Sequence, residues 1–332
     1  MPGIKALRKL QFGRESTAGT IVPATTVWRG IGTLEDAREP VFPAEDIGYL
    51  SGTSRSYIPK VEGALDLESV EATFEQLPHI LEMGIKTATP SQDGTGSGYI
   101  YQYDFPTTAA PTIKTYTIEG GDNQEAEVME YCYVSEFTLE GNAGEAWMMS
   151  ANIVGRQVAL QGFTGSVAVP TVEDMLFQKS KLYIDAIGGT WGSTLKSNTL
   201  LNASLNYTTG IIPKYTADGN LYFSFIQYTQ PEVRLTVTFE HDGTAATEKV
   251  NWRNQTPRLI RLLIQGSTFT TAGTSYTMKT GIIDLAGKWE SFQKLGDQDG
   301  NDVIEAEFVA RYDATAAKFG KILVVTNLSA LP

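Results

Sequence analysis

Gly121-Asp122-Asn123-Gln124-Glu125-Ala126-Glu127-Val128-Met129-Glu130-Tyr131-Cys132-Tyr133-Val134 reads as a first copy of Gly296-Asp297-Gln298-Asp299-Gly300-Asn301-Asp302-Val303-Ile304-Glu305-Ala306-Glu307-Phe308-Val309. At an offset of 175 and without a gap, five of the fourteen positions are identical. The surroundings extend the match. Strands are expected after Pro59 and after Pro231, over 59–67 and 231–239. A short helix is expected next, from Ala72 to Met83 in one half and from Thr256-Pro257 to Gly266 in the other. Pro78 starts or breaks the first, and Pro257 suits the first position of the second. This order predicts a tandem repeat, with one unit at 1–165 and another at 166–332.

The segments around the match alternate. Glu130, Cys132, Val134, Glu136 and Thr138 fall on one side of an extended chain, and Tyr131, Tyr133, Phe137 and Leu139 on the other. Glu305, Glu307, Val309 and Arg311 alternate with Ala306, Phe308 and Ala310. Period two with one apolar side describes strands with one wet and one packed face. The expected fold is therefore mainly β: two tandem β-sandwich domains, each with one short flanking helix. Two stretches do not alternate, 34–57 and 206–222. Phe42, Ile47 and Tyr49 in the first, and Tyr207, Ile211 and Tyr215 in the second, suit either docking onto a neighbour or folding back on their own domain.

Composition narrows the function. The chain has 332 residues and a net charge of −12, with charged residues at 19%, below the usual ~25%. The acidity is uneven: residues 1–165 hold 22 acids and 11 bases, residues 166–332 hold 16 and 15. Such a chain is ill suited to gripping nucleic acid through its phosphates. Cys132 is the single cysteine, which removes intrachain disulfides. Neither a signal-peptide core nor a run of ~20 apolar residues is present, so the reading is of a chain made in a cytoplasm without export and without a membrane span.

Catalytic and metal patterns are weak. His79 and His241 are the only histidines and lack a nucleophile elbow. Asp297 to Asp302 suggests a calcium loop, but Asp302 occupies the glycine position and Phe308 the place of the final Glu. No metal, cofactor or catalytic residue is expected.

A resemblance enters at the start of the chain. Leu10-Gln11-Phe12-Gly13-Arg14-Glu15-Ser16-Thr17-Ala18-Gly19-Thr20-Ile21-Val22-Pro23, with its Glu, three residues, then Gly-Thr, resembles the tail tube (major tail) proteins of long-tailed, non-contractile bacteriophages. Val41 to Asp46, Tyr57 to Lys60, Ala72 to Pro78 and Cys132 to Gly141 look like the same family's continuation. The resemblance covers most of residues 5–160 and reaches the second half through the repeat.

It implies structural virion subunits whose sheets join neighbours into a ring-shaped β-barrel. With two domains per chain, a pseudo-hexameric ring needs three chains. Rings stack into a tube for DNA transit without specific binding. Implied partners are further copies of the chain, tail terminator and tail-tip proteins, and a tape measure protein; the implied location is the virion tail. Glu130, Glu136, Glu140, Glu305, Glu307 and Asp313 are then lumen candidates, or else an outer solvated face. Phe42, Ile47, Tyr49, Tyr207, Ile211 and Tyr215 are stacking candidates. Read from the helices themselves, Glu71, Glu75, Arg258 and Arg261 would pair an acidic helix with a basic one between domains, or else form solvated helix faces. The alternative function is a non-tube virion β-protein, such as a head decoration or a receptor- or glycan-binding tail module.

Overall fold

Val233, Leu235, Val237 and Phe239 are all buried, while the residues between them are half-exposed. That alternation makes Glu232–Glu240 a strand at the centre of a shared sheet. The computed structural model describes residues 2–332 and is mainly β, with two α-helices, α1 (Leu77–Gly84) and α2 (Gly243–Arg253).

Eight strands pair in sequence across the shared sheet. Their order is Leu34–Asp36, Gly63–Glu71, Met148–Gly155, Ala126–Asn142, Leu200–Thr208, Glu232–Glu240, Asn301–Ala310 and Met278–Phe292, all antiparallel. The two halves of the chain meet within it, along residues 136–142 and 202–208.

Both long strands leave this sheet and enter a second layer. Ala126–Asn142 begins between Tyr116–Gly121 and Val158–Leu160, and Tyr116–Gly121 carries Lys9–Arg14 and then Thr26–Trp28. Met278–Phe292 begins between Arg258–Thr268 and Gly320–Thr326, and Arg258–Thr268 carries Ser180–Ala186 and then Leu195–Lys196. One ladder order therefore occurs twice. Its details recur too: Val134 opposes Ile153 and Glu136 opposes Asn152 across a bulge, as Trp289 opposes Phe308 and Ser291 opposes Glu307. Every one of these residues lies 155 positions from its counterpart, and Phe137–Ala151 repeats as Phe292–Ala306.

The register of 175 is thereby corrected. Ala126–Val134 opens the strand matched at 155 residues by Met278–Phe292, whereas Asn301–Val309 lies in the sheet's next strand, the counterpart of Met148–Gly155. Asp299 and Gly300, at φ 54° and 86°, make the tight turn ahead of Asn301, not a calcium loop.

The expected second helix is also corrected. Arg258–Thr268 is a strand with Leu259, Ile260, Leu262 and Ile264 buried. An apolar run flanked by neighbours on both edges reads alike as strand or helix from periodicity alone. The helix lies earlier, where Asp242 caps it by accepting from the N–H groups of Thr244 and Ala245. In the first half, the helix begins at Leu77 rather than Ala72, with Pro78 in its first turn. Among the described residues, no helix is long and apolar enough to cross a membrane.

The apolar core is continuous between the halves, and Phe137 stacks on Tyr207 at the join with ring centroids 5.2 Å apart. A second link is the strand Tyr99–Asp104, which lies in the 85–115 connection and pairs with Gly320–Thr326. Only residues 254–257 separate α2 from its next strand, so the second half has no such strap.

Candidate functional site

The outer surface of the shared sheet is polar for the same reason that its inner surface is apolar: successive residues alternate. The ladders set Glu140, Ser204, Thr236 and Glu307 in one row, and Asn142, Asn202, Thr238 and Glu305 in the next. Most of these residues, with Gln298, line a shallow depression of about 570 Å³. A further row holds Glu136, Thr208 and Glu232. Asn206 donates its amide to Glu136 and Thr138, and Asn202 donates to Asn142, so polar bonds cross the join.

Acids dominate this face. Arg234 is the one base that its six central strands present there, and its guanidinium is bound to Glu232, Glu307 and Glu290. Those three carboxylates push the Arg234 pKa further up. Exposed charge of this kind contributes little to stability, so the face is a wet surface of negative potential.

Of the lumen candidates, Glu136, Glu140, Glu305 and Glu307 lie on this face. Glu130 does not: it is buried, accepts from the Gln157 amide at 3.0 Å, and burial pushes its carboxyl pKa up. Its strand has crossed into the second layer by that point. Asp313 lies beyond the end of its strand, in a turn bridged to Lys318.

The stacking candidates divide as well. Phe42 and Tyr49 are 67% and 76% exposed, and Ile47 is exposed beside them. They lie in an irregular arm joined by the Val41–Tyr57 bridge and by the Glu45 carboxylate, which accepts from Thr53 and Arg55. The 206–222 loop is irregular only over 215–222; its first part is strand. Tyr207 ends a shared-sheet strand and is 1% exposed, while Ile211 begins a two-stranded hairpin with 225–228 and is buried. Tyr215 folds back, bonding its hydroxyl to Glu62. The strand alternation of Asn206 and Tyr207 carried this signal, obscured by the Gly210 turn that follows.

The proposed pairing of unlike helices is overturned too. Arg258 and Arg261 lie on a strand, and their partners are buried: Glu248 on α2 for Arg258, and Asp284 at 2.6 Å for Arg261. Glu71 ends a strand. Glu75 is buried in the turn before α1, where it meets Lys279 at 2.6 Å and the Thr326 hydroxyl at 3.1 Å. That contact does join the halves, but inside one chain.

Glu15 explains the Glu-x-x-x-Gly-Thr spacing. Its buried carboxylate accepts from the Gly19 and Tyr131 N–H groups and from the Thr115 and Thr117 hydroxyls. Gly19 sits at φ 76°, where a side chain would also meet Arg156 and Tyr131. Tyr131, at φ 52°, marks the bulge where Ala126–Asn142 changes layers. The motif thus fixes the bend of the sheet.

His79 is buried on α1 with Nδ1 3.0 Å from the Tyr116 hydroxyl; burial first, then Arg14, lowers its pKa to about 3. It is a neutral core group. His241 is exposed in the turn ahead of α2.

No protein-family model matches this chain, and no curated protein matches it.

Proposed function

We propose that the chain is a structural subunit of a bacteriophage tail tube: a tandem duplication whose sheets join, copy to copy, into a ring around a channel. The observation that carries this reading is the shared sheet, in which one half already joins the other by strand addition. Its outermost strands, Leu34–Asp36 and the end of Met278–Phe292, pair with no further strand on their outer edges, where α2 contributes only the Trp252 indole N–H to the Glu290 carbonyl. An open edge of this kind is a template for another strand, and closing the sheet on itself removes it.

The two units at 1–165 and 166–332 are related by a recurring ladder and bulge, which supports duplication. On this reading three chains supply six sandwich domains. Glu136, Glu140, Glu305 and Glu307 face the channel, where a negative wall lets a phosphate backbone pass without being held. The exposed arm with Phe42, Ile47 and Tyr49 reaches the next ring. The tail-tip, terminator and tape measure partners belong to the same proposal, as does the virion location.

Negative-stain electron microscopy of the purified protein, fresh and concentrated, tests it. Hollow rings or tubes with threefold or pseudo-sixfold end views are expected. Particles without a channel, persisting at high concentration, would turn the reading to a non-tube virion module.

A further inference from the structure

A pocket of about 220 Å³ opens where α1 of the first half meets Lys279 of the second, with Thr171 and Asn327 at its mouth. Its floor is polar. Thr26, Gln76 and His79 line it and are only 5%, 4% and 2% exposed. Among the described residues, the Thr26 hydroxyl, the Gln76 side-chain amide and the His79 Nε2 have no hydrogen-bond partner. Buried polar groups are nearly always bonded, so three idle ones around one opening point to something that fills it. The bonds behind His79 fix which of its nitrogens is idle. Arg14 holds both oxygens of Glu82, at 3.0 and 3.1 Å, and Glu82 also accepts the Tyr116 O–H at 3.2 Å. Tyr116 has one proton to give, so its oxygen receives the His79 Nδ1–H at 3.0 Å. Nε2 is therefore a bare acceptor, and burial, which lowers the His79 pKa to about 3, keeps it bare at neutral pH.

Charge in the pocket is already matched. Glu75 and Glu173 hold the Lys279 ammonium at 2.6 and 3.1 Å. One Glu75 oxygen accepts from Lys279 and Thr326, the other from the Glu173 N–H. No side-chain carboxylate is left over for a cation and no ammonium for an anion, and a buried charge without a partner is costly. Pro170 and Leu328 add apolar wall. A water needs only ~10–15 Å³ of such space, and drug-sized ligands take ~300–1,000 Å³, so the size that fits lies between. We infer that the pocket binds a small neutral molecule rich in hydroxyls, about one sugar ring in size. One of its O–H groups donates to His79 Nε2, others exchange bonds with Gln76 and Thr26, and its carbon frame lies on Pro170 and Leu328. The site does not depend on the ring reading above.

Nuclear magnetic resonance of the full chain labelled with ¹⁵N at histidine tests it, because His79 and His241 alone give imidazole signals. Before any addition, His79 is expected to show a protonated Nδ1 and a bare Nε2. Glucose and galactose are then titrated into the millimolar range. A saturable shift of the His79 Nε2 signal is expected with at least one of them, while the exposed His241 stays still. Gln76→Leu and Thr26→Val are each expected to weaken that binding about tenfold, the loss of one buried hydrogen bond, and to keep the His79 tautomer, which shows that they fold. The charged analogues galacturonate and galactosamine are expected to bind at least tenfold more weakly than galactose. Lactose binding as well as galactose would mark the end ring of a longer glycan as the ligand, and its exclusion a free sugar. A protonated Nε2, no saturable response to either sugar, equal binding of the charged analogues, or a response that both variants retain would overturn the site.

Discussion

Helices α1 and α2 stand at the same place in the two ladders, each after the shared sheet's second strand of its half, and each turns one glutamate inward. Glu82 of α1 meets Arg14 at 3.0 Å and the Tyr116 hydroxyl at 3.2 Å. Glu248 of α2 meets Arg258 at 2.9 Å and the Trp289 indole N–H at 2.9 Å. Yet every residue of α1 is buried, while only Ala245 and Glu248 are buried on α2. Cover makes the difference. The Tyr103 hydroxyl of the strap donates to the Pro78 carbonyl, and Arg14 also reaches the Leu331 carbonyl of the C-terminal tail. No strap crosses α2, so a polar sequence with one good cap suffices there. An inward carboxylate is common to both, but its counter-charge comes from different strands, so position is kept where the partner is not.

The comparison breaks most sharply at the ion pairs. Arg14→Met leaves Glu82 buried without its counter-charge and is expected to cost about 3–5 kcal/mol in urea unfolding. Arg258→Met is expected to cost less, about 1–3 kcal/mol, because Glu248 keeps two side-chain donors, Trp289 at 2.9 Å and Asn251, where Glu82 keeps only the Tyr116 hydroxyl at 3.2 Å. Equal losses would show that cover does not separate the two helices.

Acid sharpens it further. His79 has a folded pKa lowered to about 3 from 6.5, so the unfolded chain binds the proton more readily. Its contribution is fully present above pH 6.5 and is lost as pH falls towards 3, amounting to about 2 kcal/mol by pH 5. Ala245 takes the matching place on α2, so this acid sensitivity belongs to the first half. His79→Gln is expected to flatten the pH dependence of stability over that window, followed by unfolding at several pH values.

The smallest effect concerns the caps. Asp242→Ala removes the two bonds that start α2 and is expected to cost about 1 kcal/mol. Gln76→Ala at α1, where no side chain caps the helix, is expected to stay within about 0.5 kcal/mol. Hydrogen exchange of the two first turns distinguishes them.

By itself the sequence determined the β class, through alternation such as Val233-Leu235-Val237-Phe239. It also held α1, because Pro78 and the apolar spacing act locally. Long-range pairing decided the rest. The run 257–266 fits helix or strand equally until neighbours on both edges take its backbone groups. The recurrence at 155 residues shows only in bulges and cross-strand partners, which Phe137–Ala151 and Phe292–Ala306 share while the residues around them differ. Acidity was legible as an amount and as a bias to the first half, not as a division into buried and exposed acids. Tertiary structure placed Glu15, Glu75, Glu82, Glu130 and Glu248 inside and left Glu140 and Glu305 on the wet face. A carboxylate's burial depends on the donors that distant strands bring to it, and those donors become neighbours only in the folded chain.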